Sequence, residues 1–251
     1  MRKKNSMSIL FAAVALLGFS IPVYASQTDN RIEESAKRSY VYKTYLQNDD
    51  IRIQSRDGAV ILTGIVSENF HKALAEDTVA DLPGVKSVEN RLDVKGATPT
   101  ANSDAWLRDK VKITLLFHRS VSVSTTEIDV KDGVVTLRGD AANQAQKDLT
   151  TEYAKDVEGV KNVNNEMTLA KTPQKKRTAG EKIDDASITA QVKMTLLYHR
   201  STSAHNTKVE TKRGVVTLYG KAKNTSELSL ATKFAGDVNG VKEVKNRMSI
   251  E

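Results

Sequence analysis

Two stretches carry the side chains best suited to chemistry: Leu115-Leu-Phe-His118-Arg-Ser120 and Leu196-Leu-Tyr-His199-Arg-Ser201, which are near copies of each other. A histidine near a serine raises the question of a general base beside a nucleophile. Acyl transfer also needs an orienting acid and an oxyanion hole in the same cleft. Two near-identical copies fit a repeated helix-end and loop element better, because imidazole and guanidinium groups in a last turn complement the helix dipole. A structural or surface role is therefore expected, and no residue is assigned to catalysis. The remaining histidines are His71 and His205. With no cysteine and no His-x-x-x-His pair, neither a metal site nor a cofactor is expected.

The elements that position these stretches are repeated. Asp132-Gly-Val-Val-Thr-Leu-Arg-Gly139 has counterparts in Asp57-Gly-Ala-Val-Ile-Leu-Thr-Gly64 and Arg213-Gly-Val-Val-Thr-Leu-Tyr-Gly220. A second signature follows each copy: Leu82-Pro-Gly-Val-Lys-Ser-Val88, Val157-Glu-Gly-Val-Lys-Asn-Val163 and Val238-Asn-Gly-Val-Lys-Glu-Val244. The two signatures keep one constant spacing, Gly58 to Gly84, Gly133 to Gly159 and Gly214 to Gly240. The repeat period, from Gly58 to Gly133 and from Gly133 to Gly214, is too long for a solenoid and suits three small domains in tandem. The expected boundaries are 30–97, 102–170 and 183–251.

Each unit opens on a helical pattern, with Ile188, Val192 and Leu196 in the third, where Asp184 or Asp185 is the N-cap, and Leu107, Val111 and Leu115 in the second. The pattern is less clean around Ile32 to Leu46. Such a helix is read as an ordinary amphipathic core helix, with an outer binding face as the alternative. An Asp-Gly type I′ turn then pairs Ile128 with Leu137, Val209 with Leu218 and Ile53 with Leu62. Gly64, Gly139 and Gly220 are read as ending the hairpin in a tight turn into a second helix. A phosphate site there lacks any accompanying Gly-x-Gly or Gly-Lys-Ser/Thr signature. Gly84, Gly159 and Gly240 suit the left-handed residue that stops that helix. A last strand alternates through Val163, Asn165, Met167 and Leu169 and its equivalents. Asn90, Asn165 and Asn246 on it are expected to cap a neighbouring turn. The order α-β-β-α-β gives an α+β class: three tandem small two-layer sandwiches.

Residues 1–25 read as a cleavable leader: a basic start at Arg2, Lys3 and Lys4, an apolar run from Ile9 to Phe19, and Val23-Tyr24-Ala25 before Ser26. Absence of cysteine excludes a lipid on an N-terminal cysteine, and no run reaches the roughly 20 apolar residues of a spanning helix. A soluble exported protein is expected. Net charge is −2 over 26–95, −2 over 96–170, +4 over the linker 171–182 and +4 over 183–251. This excess favours an anionic partner, and export makes nucleic acid the least suited. Lys175, Lys176, Arg177, Lys208, Lys212, Arg213, Lys221 and Lys223 are the candidate contacts. The long basic linker suggests that the third unit is the more loosely tethered.

The paired signatures, Asp-Gly-Val-Val-Thr-Leu-x-Gly then Gly-Val-Lys-x-Val, resemble the BON domain over nearly all of the chain after the leader. With tandem units the chain is similar to OsmY-like periplasmic proteins, which usually carry two units where this has three. The first unit also departs from the pattern, because the span from Thr44 to Gly58 is shorter than the equal spans from Thr114 to Gly133 and from Thr195 to Gly214. The resemblance implies a non-enzymatic envelope protein of the stress response. It would associate peripherally with anionic phospholipid membrane surfaces, or act like a chaperone on unfolded or partly folded envelope proteins.

Overall fold

The computed structural model describes residues 27–96, 99–121, 125–170, 182–202 and 207–251. The expected leader at 1–25, His205 and the linker lysines and arginine Lys175, Lys176 and Arg177 lie outside the described residues. Unit 1 comprises α1 (Gln27–Arg38), α2 (Tyr40–Thr44), β1 (Asp50–Arg56), β2 (Ala59–Val66), α3 (Asn69–Ala80) and β3 (Ser87–Val94). Unit 2 comprises α4 (Asp104–Leu116), β4 (Thr126–Lys131), β5 (Val134–Ala141), α5 (Gln144–Lys155), β6 (Asn162–Asn165) and β7 (Thr168–Leu169). Unit 3 comprises α6 (Asp185–Tyr198), β8 (Thr207–Lys212), β9 (Val215–Ala222), α7 (Thr225–Gly236), β10 (Glu243–Asn246) and β11 (Ser249–Ile250). In each, the hairpin is antiparallel and its second strand is central, paired in parallel with the last strand. The result is three α+β sandwiches with helices on one face of each sheet.

The hairpin register is the expected one: Ile53 opposes Leu62, Ile128 opposes Leu137, and Val209 opposes Leu218. Type I′ geometry needs two consecutive left-handed residues. Asp57, Asp132 and Arg213 supply φ of 54°, followed by Gly58, Gly133 and Gly214 at 79–84°. A carboxylate from the opening helix clamps each turn. Asp29 accepts from Asp57 N and Gly58 N, Asp104 from Asp132 N and Gly133 N, and Asp185 from Arg213 N and Gly214 N, at 2.6–3.0 Å. The N-cap of α6 is Asp184, accepting from Ser187 N.

Two local expectations need correction. Gly64, Gly139 and Gly220 do not end the hairpin, because β2, β5 and β9 continue two residues further. At Gly139, with φ of 119°, a Cβ would lie 1.9 Å from the Thr125 carbonyl oxygen, so glycine permits close approach of the paired strand. Gly84, Gly159 and Gly240 are left-handed but lie three residues beyond the helix C-caps Asp81, Asp156 and Asp237. The asparagines do cap the neighbouring turn, since each Oδ1 accepts from the backbone N–H two residues on, and each amide also reaches the second helix. Asn165 donates to Lys147 O and Thr151 Oγ1 on α5 and accepts from Met167 N, and Asn246 does the same with Leu228, Thr232 and Met248. Each asparagine therefore ties the second helix to the last strand.

Units 2 and 3 share one continuous core, in which Val111, Leu115, Leu137 and Tyr153 meet Val192, Leu196, Leu218 and Phe234. The third unit is not loosely tethered, because that shared burial holds it whatever the linker does. The core of unit 1 runs instead into Ile113 of α4, Phe117 at its C-cap, and Ala186, Ala190 and Met194 of α6. Helices α4 and α6 thus bury one face against their own sheet and the other against unit 1. Small residues Ala186 and Ala190 let α3 approach α6. Ser39 breaks the opening helix of unit 1 by capping α2. The start of α2 then docks on α6: Tyr40 N donates to Asp184 Oδ2 (2.8 Å) and Val41 N to Ser187 Oγ (3.0 Å). Lys193 bridges to Asp77 and Asp81, and Lys112 to Glu68, across the same junction.

Leu137 and Leu218 have no exposed surface, so an aspartate at either would bury an unpaired charge. Because the core is shared, Leu218→Asp in unit 3 should lower the melting midpoint reported by Trp106, the sole tryptophan, in unit 2. An unchanged Trp106 midpoint would mean two separate cores.

Candidate functional site

The His-Arg-Ser stretches are expected to be a helix-end and loop element with a structural or surface role. They are at helix ends, but His118 and His199 are only 1% exposed, buried where units 2 and 3 meet. Each loop lies against the other unit's second helix end. Arg119 N donates to Asp237 O (2.8 Å) and Arg200 N to Asp156 O (2.9 Å). His118 Nδ1 lies 3.1 Å from Asp237 Oδ2, and His199 Nδ1 lies 2.8 Å from Asp156 Oδ2. The two imidazoles meet head-on, Nε2 to Nε2, at 2.9 Å. His118 stacks on Tyr153 (4.0 Å between centroids) and His199 on Phe234 (3.8 Å). These histidine–aspartate, histidine–histidine and backbone contacts occupy equivalent positions in the two units, so the contact is a reciprocal pair of equivalent halves.

This geometry replaces the helix-dipole explanation: the imidazoles bind carboxylates of a neighbouring unit. The serine hydroxyls are bonded to those carboxylates rather than to an imidazole: Ser120 Oγ donates to Asp237 Oδ1 and Ser201 Oγ to Asp156 Oδ1. Burial alone would raise the Asp156 and Asp237 pKa values. Hydrogen bonds from His199 and Ser201, and from His118, Ser120 and Tyr153, outweigh it and hold both below the usual carboxylate range. Burial pushes His199 below the ordinary imidazole range, against the pull of Asp156 and with the help of charge on His118. Unit 1 has neither the loop nor the histidine. Its chain is shorter there, and Asp81, equivalent to Asp156, pairs with Lys193 instead.

The candidate basic residues that are described are all exposed but do not form one cluster. Lys208, Lys212 and Lys221 point to the open face of the unit 3 sheet, opposite the helices. Lys212 and Lys221 lie at opposite ends of it, about 20 Å apart by strand rise. Arg213 forms the hairpin tip and Lys223 the turn into α7. The structure adds two residues to this face from the third strand, Lys245 opposite Thr217 and Arg247 beyond it. The alternation of the last strand was the signal that could have found them.

The equivalent face of unit 2 has the opposite sign. Lys208, Lys221, Lys245 and Arg247 stand where unit 2 has Glu127, Asp140, Asn164 and Glu166. In unit 2, Arg138 is neutralised by Asp129 and Glu166, and in unit 3 its place is taken by Tyr219. Among the described strand residues of the unit 3 face, Glu210, paired with Lys208 at 2.6 Å, and Glu243 oppose five cations. Among the described residues no helix is long and apolar enough to cross a membrane.

A tandem array of αββαβ units with these signatures defines the class. Residues 28–96, 103–171 and 184–251 each match the BON domain, and the chain belongs to the BON-domain family. It is 34% identical over 145 residues to the osmotically-inducible protein Y of Escherichia coli, spanning 57% of this chain and 70% of that protein. It is 34% identical over 113 residues to the outer membrane lipoprotein DolP of Haemophilus influenzae, spanning 45% of this chain and 56% of that one. Among solved structures, CdsD of the Chlamydia trachomatis type III secretion system aligns over 84% of this chain and 90% of its own, at 16% identity with a TM-score of 0.25.

At the two clasp aspartates the halves differ by one hydroxyl donor, and that difference is testable. Asp237 accepts from the Tyr153 hydroxyl (3.0 Å), whereas the residue equivalent to Tyr153 in the other half is Phe234. Asp237→Ala should therefore destabilise the chain by about 3–5 kcal/mol, and Asp156→Ala by about 1 kcal/mol less. Tyr153→Phe should remove that difference in a denaturant titration. Equal costs in the parent background would show that the hydroxyl bond carries no net stability.

Proposed function

We propose that this protein is an exported envelope protein that associates peripherally with anionic phospholipid, using the open face of the unit 3 sheet and the basic linker that precedes unit 3 in the chain. The observation that carries this reading is the reversal of sign between equivalent faces. Two units of one fold differ at Lys208, Lys221, Lys245 and Arg247, all exposed, and each change adds positive charge. A flat face with an excess of about three cations suits a planar anionic surface. At roughly 1 kcal/mol per basic residue near such a surface, binding is weak, salt-sensitive and reversible. The leader at 1–25 and the relatives' printed descriptions, one osmotically inducible and one an outer membrane lipoprotein, support the envelope address. Lys175, Lys176 and Arg177 belong to the same reading as a tether of like charge.

The rival reading, a chaperone-like grip on unfolded envelope proteins, needs an exposed apolar groove. Among the described residues the large exposed apolar side chains are Ile65, Leu169, Leu197 and Ile250, spread over three units and each about half exposed. The apolar faces between units are occupied by one another.

Co-sedimentation of the whole chain with phosphatidylglycerol vesicles should show binding that falls as salt rises, with little to phosphatidylcholine. Lys245→Glu with Arg247→Glu should weaken it more than about tenfold. Lys131→Glu with Arg138→Glu on the unit 2 face should leave it unchanged. Binding that ignores salt, or equal losses for both pairs, would refute the electrostatic face.

A further inference from the structure

The clasp contains three hydrogen-bond contacts in line: Asp237 to His118, His118 to His199, and His199 to Asp156. Each contact needs one proton. Two neutral imidazoles bring two, and both carboxylates are ionised, held low by hydrogen bonds from the histidines first and from Ser120, Ser201 and Tyr153 besides. With two protons, one contact must be lone pair against lone pair. If both Nδ1 atoms donate to their aspartates, the clash falls between the two Nε2 atoms at 2.9 Å, in a site sealed from water. With four protons, two Nε2–H groups collide instead. Only three protons satisfy all three contacts.

We infer that His118 and His199 form a single-proton binding site, one imidazole and one imidazolium sharing a proton Nε2–H···Nε2, whose occupancy sets how firmly units 2 and 3 are joined. The surroundings can carry that charge. Asp156 and Asp237 face the pair from the C-caps of α5 and α7. Arg119 and Arg200, half-exposed, lie 3.6 and 3.5 Å from those same carboxylates. Tyr153, held protonated by burial and the neighbouring Asp237 charge, and Phe234 close the sides. Two arginines and two aspartates cancel, leaving the shared proton as the net charge.

The dependence on pH follows from the count. Below the ordinary imidazole range, about 6.5, the unfolded chain takes two protons at these residues and the folded pair only one, so stability falls as pH falls. The depressed His199 lies on this acid side, since a histidine that resists charging when folded costs stability as the solution acidifies. Above that range the unfolded chain holds none while the folded pair still holds one, so stability also falls as pH rises. The clasp is therefore tightest near the ordinary imidazole value and loosens on both sides. The two aspartates add their own loss only below the usual carboxylate range. This inference does not depend on the membrane reading, because it concerns the joint between units.

The test uses the whole chain. Imidazole nitrogen-15 spectra of the parent near pH 7 should show three protonated ring nitrogens among the four of His118 and His199, with a strongly downfield Nε2 proton. The melting midpoint should be bell-shaped in pH. His118→Gln offers an amide N–H to His199 Nε2, so the additional proton is no longer needed. In this variant the alkaline limb should flatten while the acid limb remains. Two protonated nitrogens in the parent near pH 7, or an unchanged alkaline limb in His118→Gln, would overturn the proposal. The spectra decide the matter even if the variant fails to fold.

Discussion

Each unit is about 70 residues and can bury only a modest core alone. The reciprocal joint between units 2 and 3 meets that constraint. The His-Arg-Ser loop of one unit lies on the second helix end of the other, so two small cores become one. Everything else is arranged around it. Helices α4 and α6 are brought side by side, and their outward faces together make the platform on which unit 1 sits. Buried polar contacts such as His118–Asp237 add little net stability over a well-packed apolar substitute, but breaking one partner leaves a stranded charge. They fix one geometry of docking among many that apolar surfaces alone would allow.

The fold was largely legible in the sequence because its signals are local. An Asp-Gly turn flanked by alternating apolar residues specifies a hairpin and its register, and the pairing of Ile128 with Leu137 needs no knowledge of the rest of the chain. The joint was not legible. His118 and Asp237 are far apart in the chain, and nothing near either announces the other. One signal was available: Asp156 and Asp237 recur at the same offset as the histidines, while unit 1 keeps the aspartate, as Asp81, and lacks the histidine. A loop missing from one copy of a repeat points to contact between the copies that keep it. The double burial of α6 was equally hidden, because small residues at Ala186 and Ala190 read as spacers until unit 1 covers them. The role of Gly139 is hidden for a related reason: its constraint is the Thr125 carbonyl of the paired strand, not its own turn.

One fold thus carries three different surfaces. Unit 1 uses its helices to dock and keeps no clasp. Unit 2 presents a sheet face on which Arg138 pairs with Asp129 and Glu166, and unit 3 presents the same face with three of its acids, at Glu127, Asp140 and Glu166, replaced by bases. The core positions that make the sandwich are shared among the repeats. The outward positions of the same strands, free of packing demands, are where the copies diverge. The rigid joint matters to this division, since it fixes the orientation of the basic face relative to the other two units.

Units 2 and 3 must behave as one body if the joint holds the molecule together. Native-state hydrogen exchange at the Arg119 and Arg200 amides, which donate across the joint to Asp237 O and Asp156 O, measures this directly. One body predicts that these two amides exchange with nearly the same opening free energy as mid-strand amides of β5 and β9. If they exchange orders of magnitude faster while the strands stay protected, the units separate without unfolding and the joint is not what holds the molecule together.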